Sequence, residues 1–184
     1  MNSKLYILVI AFQLSFLNWS CRPDNTIQYS EEDEMEYTSD EEVFAEKSGK
    51  VRVDTVRLER YGEGILQLKD LVSDSTLLVR YSAQACPPCV AIVDEMLKRY
   101  VIEKPMWKVV KIYKGSSLRD TYVKEKNDPL AVPYYITNIL PIDLNEGTTP
   151  IMFKVDSSGR AVDLYYQEYG DTIKIKEYLG IMNQ

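Results

Sequence analysis

The sequence predicts an α/β domain, a central mixed β-sheet flanked by helices. Three observations carry that expectation. An apolar run rich in β-formers, Leu77 to Tyr81, ends in a short polar turn, reaches Ala85-Cys86-Pro87-Pro88-Cys89 and continues as an amphipathic helical pattern. Further along, Thr149-Pro150 opens an apolar stretch, Ile151 to Val155, which the turn Asp156-Ser157-Ser158-Gly159 returns as Ala161 to Tyr166. Around these segments short apolar runs alternate with helical patterns, the ordering of an α/β chain.

Ahead of that domain stand two segments of different character. Met1 to Ser20 has a basic start at Lys4 and an apolar core from Leu5 to Leu17, too short for a comfortable membrane span and right for an export signal. Asn18-Trp19-Ser20-Cys21 follows, and resembles the end of a bacterial lipoprotein signal, in which the cysteine becomes the first mature residue and carries the lipid. That resemblance accounts for the odd cysteine, Cys21; a plain secretory signal with an incidental cysteine is the alternative.

Residues 22–47 carry ten carboxylates against Arg22 and Lys47, with the runs Glu31-Glu32-Asp33-Glu34 and Asp40-Glu41-Glu42. Such a stretch buries too little apolar surface to offset its chain entropy, so 21–48 reads as a disordered, self-repelling tether. Acidic stretches behind a lipidated cysteine also serve as surface-export signals in some bacterial lipoproteins, but this run starts late. The net charge of -6 belongs to this tail. Residues 48–184 hold nineteen Lys and Arg against eighteen Asp and Glu, a near-neutral domain that gives no reason to expect nucleic acid. The expected division is signal 1–20, tether 21–48 and domain 49–184.

Within the domain, Val51 to Leu58 alternates apolar and charged residues and predicts an outer strand, broken by Gly62 and Gly64. Leu66, Leu68, Leu71 and Val72 predict a short helix or turn on the sheet. Thr76 to Tyr81 is the buried strand, and from Pro87 to about Tyr100 Cys89, Val93, Met96 and Tyr100 share one helical face, a core stripe. Pro105 precedes a strand from Met106 to Tyr113. Ser117 and Asp120 form a capping-box pattern for a helix to about Asn127. Residues 128–148, with Pro129, Pro133 and Pro141, read as a long loop, either a binding element or a plain insertion. Asp171 or Thr172 caps a last helix that buries Ile175, Tyr178, Leu179 and Met182.

The chemistry concentrates at the cysteines. A strand-to-helix turn sets Cys86 at or beside the helix N-cap, with Pro87 and Pro88 in the first turn, where their missing amide donors cost nothing. The helix dipole there favours a thiolate, and Cys89, one turn in, is near enough to close a disulfide and more shielded. The prolines leave the Cys89 N–H as the first free helix donor near the Cys86 sulfur. Half a zinc site is the rival for Cys-x-x-Cys, but the chain has no histidine and one other cysteine, so no metal is expected.

The order of elements over about residues 51–182 resembles the thioredoxin fold. Leu78-Val79-Arg80-Tyr81-Ser82-Ala83-Gln84-Ala85-Cys86-Pro87-Pro88-Cys89 lies on that family's active-site segment without a gap, and Gly147-Thr148-Thr149-Pro150-Ile151-Met152-Phe153 looks like its second signature, most like that of exported, membrane-tethered thiol–disulfide oxidoreductases. The resemblance implies that Pro150 is a cis proline facing the disulfide, that the Thr149 backbone pairs with an extended substrate, and that Pro87 and Pro88 border it. Three positions depart from the pattern: Ala85 replaces a frequent tryptophan, Ser82 an aromatic residue, and Arg80 the buried acid of the thioredoxins proper. Arg80 is therefore expected either to lower the Cys89 pKa by its charge or to pack by its stem while its head reaches solvent or a carboxylate such as Asp94 or Glu95.

These readings converge on a membrane-anchored extracytoplasmic thiol–disulfide oxidoreductase, with no cofactor. Its partners would be protein thiols or disulfides and an upstream redox protein. It would be held in the cell envelope by lipid on Cys21, with the domain in the periplasm or at the cell surface, and a monomer is favoured. The rival is a binding module of the same fold with a static Cys86–Cys89 bridge. Peroxidase and copper-handling chemistry fit poorly, lacking a Thr-x-x-Cys arrangement and a histidine respectively.

Overall fold

The computed structural model describes residues 46–142 and 148–181. The signal segment, Cys21, nearly all of the acidic tether, Gly147 and Met182 lie outside the described residues. The elements run β1 (Arg57–Arg60), β2 (Gly64–Gln67), a 3-10 turn (Leu68–Asp70), β3 (Thr76–Ser82), α1 (Pro87–Glu103), β4 (Lys108–Lys114), α2 (Leu118–Asn127), β5 (Tyr134–Thr137), β6 (Ile151–Val155), β7 (Ala161–Tyr166) and α3 (Ile173–Leu179).

They build a seven-stranded sheet in the order β2-β1-β5-β4-β3-β6-β7. The middle is parallel, β3 with β4 and β4 with β5, while β6 and β7 on one flank and β1 and β2 on the other run antiparallel to their neighbours. A strand covered on both faces reads as a continuous run rather than an alternation, and β3 is buried from Thr76 to Tyr81. Its side chains feed two apolar layers. Leu77, Val79 and Tyr81 join Val93, Leu97 and Tyr100 of α1 and Ile175 and Leu179 of α3. Leu78 points the other way, to Val110, Ile112, Phe153, Leu58 and Leu68. Phe153 is fully buried; truncating it to alanine would cost about 3–5 kcal/mol.

The hairpin β6–β7 keeps the bounds its residues predict, and so does α2, whose Ser117 hydroxyl accepts the Asp120 amide at 3.1 Å. Asp171 caps α3 by taking the amides of Ile173 and Lys174, each at 3.0 Å, and Ile175 and Leu179 form its buried side, with Tyr178 partly buried. Leu68 seats the 3-10 turn on the sheet.

Two expectations are corrected. Residues 51–58 do not form one strand: pairing starts at Arg57, and before it there is a single bridge, Arg52 to Arg160. The Val53 and Asp54 amides both reach the Gly159 carbonyl, at 2.9 and 3.2 Å, and the Val56 amide turns back to Val53 at 3.0 Å, so the chain bends around the β6–β7 turn. Gly159 is required there, since its φ is +79° and a Cβ would stand 2.5 Å from the Asp54 carboxyl carbon. Secondly, the stretch 128–148 is not all loop. Tyr134–Thr137 is β5, inserted between β4 and β1. Four residues behind Pro133 carry too little pattern to announce a strand; two hydrogen-bonding neighbours make it one.

Candidate active site

Cys86 is the N-cap of α1, with Pro87 and Pro88 at its first two positions. The first amide able to point at the sulfur is that of Cys89, and it donates to Cys86 Sγ at 3.3 Å. The two cysteines form a disulfide with Cα atoms 5.3 Å apart, a spacing usual for such a bond. Cys86 is half-buried and both prolines are exposed, whereas Cys89 is 1% exposed. A nucleophile entering or leaving this bond therefore meets Cys86 first. Upstream, the Ala85 amide bonds the Ser82 carbonyl at 3.1 Å and the Gln84 amide bonds Ser82 Oγ at 3.2 Å, which turns the chain from β3 into the helix.

The second signature lies against the first. The Cys86 amide donates to the Thr148 carbonyl at 2.9 Å. The Thr149 carbonyl accepts from Arg80 Nη1 at 3.2 Å, across 69 residues of chain. Pro150 is buried at the start of β6, Thr149 is half-buried and Thr148 exposed. The isomer expected of Pro150 is corrected: no described peptide bond is cis. Trans is the ordinary state of such a bond, favoured by about 0.5–1 kcal/mol.

Arg80 is fully buried, on the face of β3 shared with Leu78. Its guanidinium meets the Thr149 carbonyl and is closed off from water, so the expectation that its head reaches solvent is also corrected. Asp94 belongs to the opposite face and is taken by another cation. Lys111 of β4, 1% exposed, lies 2.9 Å from Asp94, 2.7 Å from Asp128 and 3.1 Å from the Tyr134 hydroxyl. Tyr81 donates to the same Asp94 oxygen at 2.6 Å, and Tyr134 to Asp128. Tyr113 stacks between Tyr81 and Tyr134, each pair with centroids 5.1 Å apart.

Burial acts to raise the Asp128 carboxyl, but the hydrogen bonds from Lys111, Tyr134 and the Leu130 amide outweigh it and hold the group below the usual carboxylate range. The Tyr81 phenol is pushed well above its ordinary value by burial, with the Asp94 charge adding to the effect. Sequence reading missed this network. Its one local signal was a lysine inside the apolar run Val109-Val110-Lys111-Ile112, since a buried lysine is rare unless paired.

Beside Pro87 a groove of about 600 Å³ opens, bordered by Ala85, Val90 and Ala91 on the α1 side and Val123 and Asn127 on the α2 side, with Asp94 within it. Among the described residues no helix is long and apolar enough to cross a membrane.

No family model matches the chain, and no curated protein matches it. Solved structures do. A secreted Mycobacterium tuberculosis disulfide oxidoreductase homologous to E. coli DsbE aligns at a TM-score of 0.50 and 12% identity, over 68% of this chain and 95% of its own. A thiol peroxidase from Chromobacterium violaceum aligns at 0.49 and 14%, over 71% of this chain and 86% of its own. An uncharacterized thioredoxin-like protein from Porphyromonas gingivalis aligns at 0.48 and 12%, over 68% and 88%. At 12% identity, the first of these likenesses speaks for the fold alone. The chain has a thioredoxin-like fold, with a Cys86–Cys89 pair at the head of α1.

Proposed function

We propose that the protein is a thiol–disulfide oxidoreductase that acts on protein thiols or disulfides outside the cytoplasm, held at the membrane by lipid on Cys21. The observation that carries the redox reading is the asymmetry of the pair. Cys86 caps a helix, is partly open and accepts a backbone donor at its sulfur, while Cys89 is buried behind it. Helix N-termini stabilise thiolates and so lower thiol pKa.

In the reducing direction the Cys86 thiolate attacks one sulfur of a substrate disulfide. One substrate thiolate leaves and takes up a proton, and a mixed disulfide joins Cys86 to the other. Cys89 then gives up its proton and attacks Cys86 Sγ. The Cys86–Cys89 bond forms, the second substrate thiolate departs and is protonated, and two electrons have passed to the substrate. An oxidase runs the same steps backwards. Pro87 and Pro88 border the substrate in this scheme, and the groove beside Pro87 gives room for the chain that flanks its cysteine.

The deciding experiment is the reduction potential of the pair together with single-cysteine trapping. A working pair sits well above about -300 mV, and a structural bridge below it. In Cys89→Ser, Cys86 should accumulate mixed disulfides with partner proteins, and Cys86→Ser should accumulate few. A potential below that bound with equal trapping by both variants makes the bridge static and the protein a binding module. The anchor has its own test: Cys21→Ala should move the protein from the membrane fraction to the soluble one or stall its processing. Unchanged partitioning, with no lipid mass on Cys21, removes the anchor from this reading.

A further inference from the structure

Pro87, Ala91 and Asp94 occupy positions i, i+4 and i+7 of α1, one stripe of a helix. This stripe is not the core face, which carries Cys89, Val93 and Met96. It forms the α1 wall of the groove that opens beside Pro87. At 1.5 Å per residue, Asp94 lies about 10 Å along the helix from Pro87. Between the two the wall is apolar, and Val123 of α2 lines the other side.

Asp94 is only half used by the fold. Tyr81 donates to its Oδ1 at 2.6 Å, and Lys111 lies 2.9 Å from the same oxygen. Oδ2 accepts no hydrogen bond among the described residues. The charges are unbalanced as well, since Lys111 is shared with Asp128 and two carboxylates face one cation. The Asp128 side chain is 4% exposed and that of Asp94 34%, so the surplus negative charge meets the groove at Asp94. The remaining charged group in the groove, Lys124, makes no ion pair among the described residues and lies over the Tyr113 ring, 4.6 Å from its centroid.

We infer that Asp94 is a specificity-determining residue, whose Oδ2 receives the ammonium or guanidinium of a lysine or arginine flanking the cysteine of a polypeptide substrate. The inference rests on the proposed redox reading and adds to it a substrate class, basic polypeptides. An extended chain advances about 3.3 Å per residue. A basic residue two or three positions from a cysteine held at Cys86 therefore reaches Asp94. Its aliphatic stem lies on Val90 and Ala91, and its head meets the carboxylate between apolar walls, where a charge-assisted bond is stronger than in open water. A neutral side chain of the same length gains the apolar contact alone, and an acidic one meets the surplus negative charge.

The test uses the full-length protein and linear peptides with a single cysteine, in which the residue at each of the three positions on either side is in turn arginine, norleucine or glutamate. Each peptide is offered to the reduced protein as its mixed disulfide with 2-mercaptoethanol, and to the oxidised protein as its thiol. Whichever direction proceeds is followed in single turnover with the protein in excess. At the best position the wild-type protein should half-saturate with the arginine peptide at a concentration about tenfold lower than with the norleucine peptide, the worth of one charge-assisted hydrogen bond. The glutamate peptide should be the weakest. Asp94→Asn keeps the shape and an oxygen for Tyr81 and Lys111 while removing the charge. It should bring the arginine peptide to the norleucine level, with limiting rates and the norleucine peptide unchanged within about twofold. If Asp94→Asn does not fold, the wild-type protein decides by its salt dependence: the arginine preference should fall by about threefold between about 0.05 and about 0.5 M salt, and a salt-independent preference overturns the inference. So does the lack of any arginine preference, or an equal loss on the arginine and norleucine peptides in Asp94→Asn, which would make Asp94 structural. A preference for glutamate also overturns it and makes Lys124 the reading residue. If the protein neither reduces the mixed disulfides nor oxidises the thiols, the redox reading itself fails and the inference falls with it.

Discussion

Two buried cations stand on neighbouring strands of this sheet and face opposite sides of it. Lys111 of β4 meets two carboxylates and a tyrosine hydroxyl, under α1 and α2. Arg80 of β3 meets a backbone carbonyl in the loop that faces the disulfide. Desolvating a cation costs several kcal/mol, so each must be offset by its partners. Lys111 is offset by charge, and what it ties together is architecture: α1 through Asp94, the end of α2 through Asp128, and β5 through Tyr134. The Arg80 contact ties a strand to a loop at the site. One cation joins elements of the fold, and the other shapes the surface that a substrate would meet.

The largest effect expected from this contrast is on stability. Lys111→Met leaves two carboxylates without their shared cation, one of them almost wholly buried, and should cost about 3–5 kcal/mol in urea unfolding. The disulfide chemistry of whatever fraction stays folded should be unchanged. A loss below about 1 kcal/mol would mean that Lys111 is no more structural than a surface pair, and the contrast would collapse.

Arg80→Met should cost less; the Thr149 contact it removes is worth about 1.5–3 kcal/mol, the range for a hydrogen bond to a charged group. The discriminating result is the ratio of the two losses. If the Arg80 variant is the less stable of the pair, Arg80 is part of the core framework and its role at the loop is secondary.

Tyr134→Phe removes one donor from Asp128 while Lys111 still faces it. A loss of about 1–2 kcal/mol is expected at neutral pH. The thiol chemistry should be untouched, since Tyr134 belongs to the Lys111 side.

The smallest effect is a slope. The Asp128 carboxyl is held below its ordinary value in the folded protein, so the unfolded chain binds the proton first as pH falls. Its contribution is present above the unfolded pKa, about 3.9, and is lost as pH drops through the folded value. Asp128→Asn should therefore flatten the acid limb of the stability–pH curve below about pH 4. The difference from wild type should be widest at neutral pH. Parallel acid limbs in the two proteins would show that Asp128 carries no such linkage.

What could be read along the chain was whatever neighbouring residues decide among themselves. The N-cap position of Cys86 follows from a polar turn, two prolines and a helical pattern within a few residues, and the donor left to Cys89 follows from the prolines. The β6–β7 hairpin follows from Asp156-Ser157-Ser158-Gly159, where the Asp156 carboxylate takes the Ser158 and Arg160 amides at 2.9 Å each. The α2 start follows from Ser117 and the α3 start from Asp171, because capping is a bond across two or three residues.

The tertiary structure alone decided the rest, where the deciding partner is far off in sequence. Tyr134–Thr137 is a strand because β4 and β1 supply its hydrogen bonds, not because four residues behind a proline prefer to be extended. Residues 51–56 bend because the Gly159 carbonyl takes two of their amides, overriding an alternating pattern that would otherwise mark a strand. The buried stretch Lys108–Lys114 could not say which carboxylates its lysine would find, since Asp94 and Asp128 each lie 17 residues away in opposite directions. Arg80 was conspicuous in the sequence, yet its partner carbonyl lies 69 residues along the chain. Local patterning encodes which residues must be buried and how each element begins. It cannot encode which polar group will be waiting where a buried charge arrives, because that is set by how the strands are ordered in the sheet.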